Sequence, residues 1–192
     1  MNEQPNIFLD LSKLAALGEH AIVGKTVRIR RPARVRIGAH AIIDDFTYIA
    51  CGLTVGRYTH IGPNSTLTGG AATIRIGNFV NLAPGCRLIG VSNDYAGGGL
   101  VGAAIPEEHA DQPVVGNITL ADHVLLGAGT VVLPGTNVPE GVSTGALSML
   151  SPKLQLEPWT LYAGIPARPI RKRESKAILE AAARVLDAER ER

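Results

Sequence analysis

The sequence is poor in aromatic residues, in cysteine and in net charge. Phe, Trp and Tyr make up only 4% of its 192 residues, whereas glycine and proline number 22 and 12. A core of this composition must be filled by Val, Ile, Leu and Ala, in a chain that turns often. The length suits one domain, or one domain with a small appendage.

The low charge and the two cysteines exclude several kinds of partner. A net charge of +2 is too weak to favour nucleic acid or a membrane surface. The sequence has no secretory pattern and no run of about 18 apolar residues, so we expect a cytoplasmic protein without membrane spans. Cys51 and Cys86 lack disulfide-framework or metal-site spacing. Cys86 falls at a small inward position of the repeat described next, which predicts a free buried thiol.

A six-residue repeat dominates the sequence between Leu120 and Leu150. An aliphatic residue returns at every sixth position, with Thr144 as the one exception. Four positions after each of these residues stands a small or β-branched one: Val124, Thr130, Thr136, Val142 and Ser148. Hexapeptide periodicity is a signature of parallel β-helices. We therefore predict an all-β fold, a parallel β-helix built from hexapeptide repeats.

The same repeat covers most of the chain and sets its predicted boundaries. Its other aliphatic positions are Leu17, Val23, Ile29, Ile37, Ile43, Ile49, Val55, Ile61, Leu67, Ile76, Leu82 and Leu88. We predict the β-helix domain over residues 17–155. Residues 1–16 are expected to form a short helical cap, and residues 156–192 a basic segment followed by a helix.

One long interruption is predicted to form a loop over residues 89–117. The repeat fails there for about thirty residues, and a loop of this length inside a tight repeat is usually functional. Asp94 and Tyr95 stand at its root and are the main candidates for the reacting centre.

Two glycine-rich turns are predicted to stack on each other. Three repeats make one triangular coil, so residues eighteen apart should lie at about the 4.8 Å strand spacing. Gly127-Ala128 and Gly145-Ala146 are related in this way. Such corners expose backbone N–H groups that an extended ligand can approach closely. Alternatively, glycine and alanine stand there only because the turns require them.

The sequence resembles the hexapeptide-repeat acyltransferases, which have a left-handed parallel β-helix. The resemblance rests on the repeat, on the Gly127-Ala128 and Gly145-Ala146 corners, and on the segment Ala163-Gly-Ile-Pro-Ala-Arg-Pro-Ile170. Within this family, Ser92-Asn-Asp-Tyr95 and Leu156-Glu-Pro-Trp159 are most similar to nucleotide-amino-sugar N-acetyltransferases of the GDP-perosamine type.

The resemblance implies a homotrimer that binds acetyl-CoA in the grooves between its subunits. The pantetheine arm would lie along Gly127, Ala128, Gly145 and Ala146, with the Ala128 N–H facing the thioester oxygen. The residues that match the family's basic tail would contact the coenzyme: Lys153, Pro166, Arg168 and Lys172.

The family comparison leaves the catalytic base open. Galactoside and maltose acetyltransferases carry a histidine at the root of the long loop, where this sequence has Asn93 or Asp94. Asp94 is one candidate base, and His123 is another with a pKa better suited to neutral pH. A third possibility is that no base is used, because a free amine is already nucleophilic. The missing histidine therefore favours amine over hydroxyl acetylation.

Two further groups have alternative interpretations. His20, His40 and His60 lie twenty residues apart, which does not match the zinc site of related carbonic anhydrases; we expect no metal, and His60 remains a substrate-contact candidate. The alternating arginines of residues 28–36 indicate a strand with one solvated or subunit-facing side. They could instead attract the diphosphate of a nucleotide sugar.

These observations predict an acetyl-CoA-dependent acetyltransferase that acts on a nucleotide-linked amino sugar for O-antigen or other surface polysaccharide. One alternative is O-acetylation of a sugar or antibiotic hydroxyl, which requires a base. The other is a non-catalytic trimeric scaffold, which would have no need of the coenzyme groove.

Overall fold

The six-residue repeat folds into very short parallel strands that are separated by tight turns. The computed structural model describes residue 6 and residues 8–190. In it the chain winds as a parallel β-helix whose successive coils pair edge to edge and form three flat faces. The frame residues from Ile37 to Leu150 are all buried, and together they fill the interior.

Each face is a parallel sheet. The first face contains β3 (Arg28–Ile29), the first parts of β6 (Tyr48–Val55) and β8 (Thr66–Ile76), β10 (Arg87–Ile89), β15 (Val131–Val132) and β18 (Met149–Leu150). The second contains β1 (Ala16–Leu17), β4 (Val35–Ile37), the later parts of β6 and β8, β13 (Ile118–Leu120) and β16 (Asn137–Val138).

The third face extends further along the chain than the sequence predicted. It contains β2 (Ile22–Val23), β5 (Ile42–Ile43), β7 (His60–Ile61), β9 (Asn81–Leu82), β14 (Leu125–Leu126), β17 (Ser143–Thr144) and β19 (Thr160–Gly164). The helical winding therefore continues past residue 155. Strand β20 (Ala167–Lys172) then pairs with β19 in the antiparallel direction.

Three corners join the faces. The groove corner links the third face to the first and contains Asp45-Phe46, Pro63-Asn64, Pro84-Gly85, Ala128-Gly129 and Ala146-Leu147. The loop corner links the first face to the second, and the long loop leaves the coil there. The ring corner links the second face to the third and contains His20, His40, Tyr58, Phe79, His123, Gly141 and Trp159.

Buried hydroxyl groups hold the turns of the coil. Thr130 Oγ1 donates to Gly127 O at 2.6 Å, and Ser148 Oγ donates to Gly145 O at 2.7 Å. Each hydroxyl thus satisfies the carbonyl three residues before it, which explains why a small or β-branched residue recurs at this position.

Thr144, the exception in the aliphatic frame, is also buried. Its Oγ1 accepts from Gly127 N at 2.9 Å and lies 2.8 Å from Thr130 Oγ1. A polar group in the interior is stable only when it is hydrogen-bonded, and these two contacts meet that condition.

The N-terminal end of the β-helix has one short 3-10 turn, whereas the C-terminal end is followed by an α-helix. Within the described part of residues 1–16, the helical residues are those of a 3-10 turn, Leu11–Lys13, which Asp10 caps through Ser12 N. Residues 1–5 and 7 lie outside the described residues. Helix α1 (Lys176–Arg190) follows β20 and runs beside the ring corner. Among the described residues, no helix is long and apolar enough to cross a membrane.

Candidate active site

The groove corner stacks as the eighteen-residue spacing predicted. Leu147 N donates to Ala128 O at 2.8 Å, and Val131 pairs in register with Met149 on the adjoining face. A Cβ atom added to Gly127 would lie 2.6 Å from the Gly145 carbonyl carbon. Glycine is therefore required at residue 127 by the close approach of the next coil, whatever else it does.

The same corner also offers an open hydrogen-bond donor. Ala128 and Ala146 are exposed, and no partner for the Ala128 N–H is found among the described residues. An N–H group held by a rigid turn can donate to an oxygen on which negative charge develops. The role of Ala128 towards the thioester stays a prediction, and the local geometry is compatible with it.

Large apolar side chains flank this corner. Phe46 and Leu147 are 67% and 68% exposed, and both have a left-handed backbone, with φ of 60° and 55°. Because few apolar residues are exposed elsewhere on the coil, these two make the groove corner a candidate contact surface.

The imidazole of His60 pairs with the carboxylate of Asp44 close to the groove corner. Its Nε2 atom lies 2.7 Å from Oδ2 of Asp44, and the two side chains are 43% and 38% exposed. Asp44 stacks against Gly62, because Asp44 N donates to Ile61 O in the next coil. A Cβ atom added to Gly62 would lie 2.7 Å from Leu82 O in the following coil, so glycine is required there by the stacking of the coils.

The long loop leaves the coil at a different corner. It forms a short antiparallel ribbon of β11 (Val91–Ser92) and β12 (Val114–Val115) and a 3-10 turn, Glu107–His109. Asp94 Oδ1 accepts from Ala96 N at 2.8 Å, and Tyr95 is 90% exposed. Since the first face separates the loop corner from the groove corner, a single chain does not bring Asp94 to Ala128.

His123 lies at the third corner, inside a column of stacked rings. The column is formed by His20, His40, Tyr58, Phe79, His123 and Trp159, with successive ring centroids 4.6 to 5.8 Å apart. All six residues have φ between 51° and 61°. The first five rings occupy equivalent places one coil apart, which explains ring spacings close to the strand spacing. Trp159 lies two coils beyond His123, with Gly141 between them.

The side chain of His123 is buried and packed between two other aromatic rings. The residue is 9% exposed and is stacked between Phe79 and Trp159. Gly141 occupies the intervening coil, and an added Cβ there would lie 2.2 Å from the Trp159 ring, so the indole fills that place. The predicted proton-transfer role of His123 stays a prediction, and the structure does not bring this residue together with Asp94 or Ala128.

Arg173 lies at the Trp159 end of the ring column. Its Nη1 atom donates to the carbonyl oxygens of His123 and Gly141, both at 3.0 Å, and its guanidinium lies over Trp159 at 5.7 Å. Burial lowers the pKa of Arg173. Arg173 therefore supports the ring corner rather than remaining available to a coenzyme phosphate.

The residues predicted to bind the coenzyme phosphates, three cations and Pro166, are spread over the C-terminal end of the coil. Lys153 is exposed at the loop corner, and Pro166 and Arg168 are exposed where β19 turns into β20. Lys172 Nζ is paired with Glu157 Oε2 at 2.5 Å, and hydrogen bonding from Lys172 lowers the pKa of Glu157. Of these cations, Lys172 is the one already held by a carboxylate.

The arginine-rich segment does not form one cationic face. Arg28 lies on the first face and Arg36 on the second. Arg31 and Arg34 donate to Gly70 O, each at 3.3 Å, so they brace the bend of β8 at the loop corner. This arrangement favours a structural role over a diphosphate site for the two bracing arginines.

Neither the cysteines nor the histidines form a metal-binding cluster among the described residues. Cys51 and Cys86 are free and buried, as predicted for Cys86, and burial raises their thiol pKa values to about 12 and about 11. Among the described residues, no cluster of three or more His, Cys, Asp or Glu side chains is arranged to hold a metal ion.

Comparison with known proteins identifies the family. Residues 34–69 match the family model described as bacterial transferase hexapeptide (six repeats). The chain is 30% identical over 182 residues to dTDP-4-amino-4,6-dideoxy-D-glucose acyltransferase of Escherichia coli, a match that covers 90% of this chain and 92% of the relative.

The solved structures agree with this relationship along the whole chain. AntD, an N-acyltransferase from Bacillus cereus in complex with dTDP and 3-hydroxybutyryl-CoA, is 29% identical, with a TM-score of 0.87 over 97% of this chain and 100% of AntD. A variant of AntD in complex with dTDP-4-amino-4,6-dideoxyglucose and coenzyme A has a TM-score of 0.86 at 29% identity, over 96% of this chain and all of its own.

The chain therefore belongs to the hexapeptide-repeat acyltransferases and has their left-handed parallel β-helix. It is an acyltransferase whose similar relatives include nucleotide-amino-sugar enzymes. The resemblance inferred from the sequence is thus confirmed at the level of family and fold. The nucleotide named for these relatives is dTDP, whereas the sequence resembled the GDP-perosamine group.

Two features of the site were missed by sequence reasoning. The ring column was not foreseen, although the eighteen-residue spacing applied from Tyr58 back to His40, or from Trp159 to Gly141 and His123, would have revealed part of it. Asp44 was not singled out either. Its position sixteen residues before His60, one coil earlier along the same corner, was the available signal.

Proposed function

We propose that this acyltransferase moves an acyl group from coenzyme A to the amine of a dTDP-linked 4-amino-4,6-dideoxyglucose. The observation that carries the proposal is the likeness, over nearly the full length, to AntD complexes that hold this nucleotide sugar and coenzyme A. The exposed turn at Ala128 supports it, because it supplies the donor that a thioester oxygen requires. Such a product suits O-antigen or other surface polysaccharide.

The proposed reaction begins with acyl-CoA lying along the groove corner. Gly127, Ala128, Gly145 and Ala146 leave that surface free of bulky side chains next to the turn. The neutral amine attacks the thioester carbon, the Ala128 N–H stabilises the resulting oxyanion, and the C–S bond breaks to release the thiolate. The nitrogen loses its proton, and the products are an amide and free coenzyme A.

The proposed site lies between protomers of a homotrimer. Asp94 and Tyr95 leave the coil at the loop corner, away from Ala128, so the loop of one protomer would meet the groove corner of another. The exposed side chains of Phe46 and Leu147 support such a contact at the groove corner. Asp94 and Tyr95 would then position the sugar.

The coenzyme phosphates are assigned to the C-terminal end of the groove. Arg168 is the main candidate, with Pro166 beside it and Lys153 on the neighbouring corner. Lys172 would have to exchange Glu157 for a phosphate. We also propose a cytoplasmic location, where both substrates are made.

A thiol-release assay tests the function. Acetyl-CoA and 3-hydroxybutyryl-CoA are each combined with dTDP-4-amino-4,6-dideoxyglucose, with a GDP-linked 4-amino sugar, and with the matching dTDP sugar that carries a hydroxyl in place of the amine. We expect turnover with the dTDP amino sugar and acetyl-CoA, and an amide product by mass spectrometry. Equal turnover of the hydroxyl sugar would show O-acylation instead, and turnover of the GDP sugar alone would refute the nucleotide assignment.

A further inference from the structure

We infer that Phe46 and Arg87 hold the nucleotide part of the acceptor, the dTDP-linked amino sugar, with its base stacked on Phe46 and its diphosphate paired with Arg87. This inference rests on the proposed function and deepens it by locating the nucleotide on this chain. It starts from the ring of Phe46, which is an aromatic side chain of the groove corner and is 67% exposed.

Phe46 lies three coils from the Ala128 turn along one column of turns. Three strand spacings place the two turns roughly 14 Å apart. An extended dTDP-linked 4-amino sugar holds its base at a comparable distance from its amine, because the hexose ring, the diphosphate and the ribose lie between them. In this column each turn donates a backbone N–H to the turn before it, at 2.9 to 3.2 Å: Gly129 to Pro84, Gly85 to Pro63, and Asn64 to Asp45.

The nucleotide must extend towards the N-terminal coils, because the coenzyme occupies the opposite direction. In the proposed complex the pantetheine runs from the Ala128 turn past Ala146 to the basic C-terminal residues. The N-terminal part of the groove is therefore left for the acceptor, and Gly85 and Asn64 line it with no side chain and a short one. An acceptor with its amine at the thioester can lie across them and bring its base to Phe46.

The two faces that meet at the groove corner differ in charge. On the third face His60 is paired with the carboxylate of Asp44, and this carboxylate would repel phosphate. On the first face Arg87 follows the Gly85 turn by two residues, is exposed, and pairs in register with Val131 of the next coil. Among the described residues, no carboxylate pairs with Arg87. The diphosphate should therefore lie on the first-face side of the corner.

Arg87 stands between the two ends of the proposed acceptor. Its coil is one strand spacing from the Ala128 turn and two from the coil of Phe46, so the phosphates between sugar and base pass beside it. A guanidinium group pairs with phosphate oxygens in a bidentate manner. The carboxylate of Asp45, next to Phe46, is turned away from this path, because it accepts from Thr26 N and Thr26 Oγ1, both at 2.7 Å, in the preceding coil.

Calorimetric titration with dTDP tests the assignment without relying on turnover. We expect Phe46→Asn to weaken dTDP binding about tenfold or more, the scale of base stacking on an aromatic ring, and Phe46→Tyr to retain it. Asparagine suits the backbone of residue 46, since Asn64 has the same φ of 60° at the equivalent place. Arg87→Gln should weaken binding about tenfold and make it less dependent on salt, because a charge pair with the diphosphate is lost.

Arg75→Gln is the matched control for the arginine. Arg75 is exposed like Arg87, but it lies on the second face, where it pairs in register with Thr54 and Thr119. This variant should bind dTDP as the wild type does. An equal loss of affinity in Arg75→Gln would show a general effect of positive charge and would overturn the role of Arg87.

The remaining outcomes separate this inference from the proposed function. Wild-type affinity for dTDP in Phe46→Asn or in Arg87→Gln would overturn the inference. A changed native mass of Phe46→Asn would also overturn it, because the ring would then serve contacts between protomers. A wild type that binds dTDP but acylates no amino sugar would overturn the proposed function and leave the nucleotide site in place. A wild type that does not bind dTDP would overturn both.

Discussion

Replacement of His123 by phenylalanine and by alanine separates a structural role of this residue from a catalytic one. The ring is buried between Phe79 and Trp159, with centroid distances of 5.4 and 5.8 Å. His123→Phe keeps an aromatic ring in the column but removes both nitrogens. If the role of His123 is only to pack in the ring column, we expect the phenylalanine variant to fold and to retain the turnover of the wild type.

The alanine variant should lose stability by an amount that the stacking explains. Two ring contacts worth about 0.5–1.5 kcal/mol each are removed, and a cavity remains between Phe79 and Trp159. We expect a loss of about 2–3 kcal/mol, below the usual cost for a larger buried aromatic ring. For a chain of this length this corresponds to a fall in Tm of about 4–12 °C.

Thermal unfolding at one fixed protein concentration measures the loss of stability, and kcat in the thiol-release assay measures the effect on turnover. His20→Ala is the control within the same column, because His20 has one ring neighbour at 5.0 Å and a side chain that is 65% exposed; it should cost less than about 1 kcal/mol. A stable His123→Phe protein with a hundredfold lower kcat, the scale of a lost general base, would refute this reasoning and establish His123 as a catalytic residue.

Three further predictions concern other parts of the molecule. Asp94→Ala should lower turnover at least about tenfold with unchanged coenzyme affinity by calorimetry, and an unchanged rate would remove Asp94 from the site. Thr144→Val should cost about 1–3 kcal/mol in urea unfolding, because it leaves the Gly127 N–H without its acceptor, whereas Thr144→Ser should cost less. The thiol pKa values of about 12 for Cys51 and about 11 for Cys86 predict that neither reacts with iodoacetamide at pH 8 until the protein is unfolded, and native labelling would contradict this.

The coil was predictable because one local rule repeats along it. A buried aliphatic residue, a hydroxyl or small residue four places later and a tight turn recur together, so the strands of Leu120 to Leu150 follow directly from the sequence. Thr144 looked like a defect in this rule. Only the structure shows that two hydroxyl groups and the Gly127 N–H satisfy one another there.

The site was less predictable because its residues come from different corners. The sequence singled out Asp94, His123 and Ala128, and the structure puts them at the loop, ring and groove corners. Sequence spacing gives stacking along a corner, but it does not say which corner a partner protomer covers. The pairing of His60 with Asp44 joins side chains of two successive coils, and the orientation of side chains is a detail that no periodicity contains.

The antiparallel strand β20 has a consequence for how these molecules behave in concentrated solution. A parallel coil left open at its end would offer its last strand to the first strand of another molecule, and such stacking could continue into fibres. On the third face, strand β20 reverses direction beside the last parallel strand, β19, contains Pro169 without an N–H group, and carries Arg168, Arg171 and Lys172, while a register shift interrupts its pairing at Leu161 and Tyr162. Proline, charge and irregular pairing are the usual protections against edge-to-edge aggregation. The basic hairpin therefore protects the end of the third face against pairing with the strand edge of another molecule.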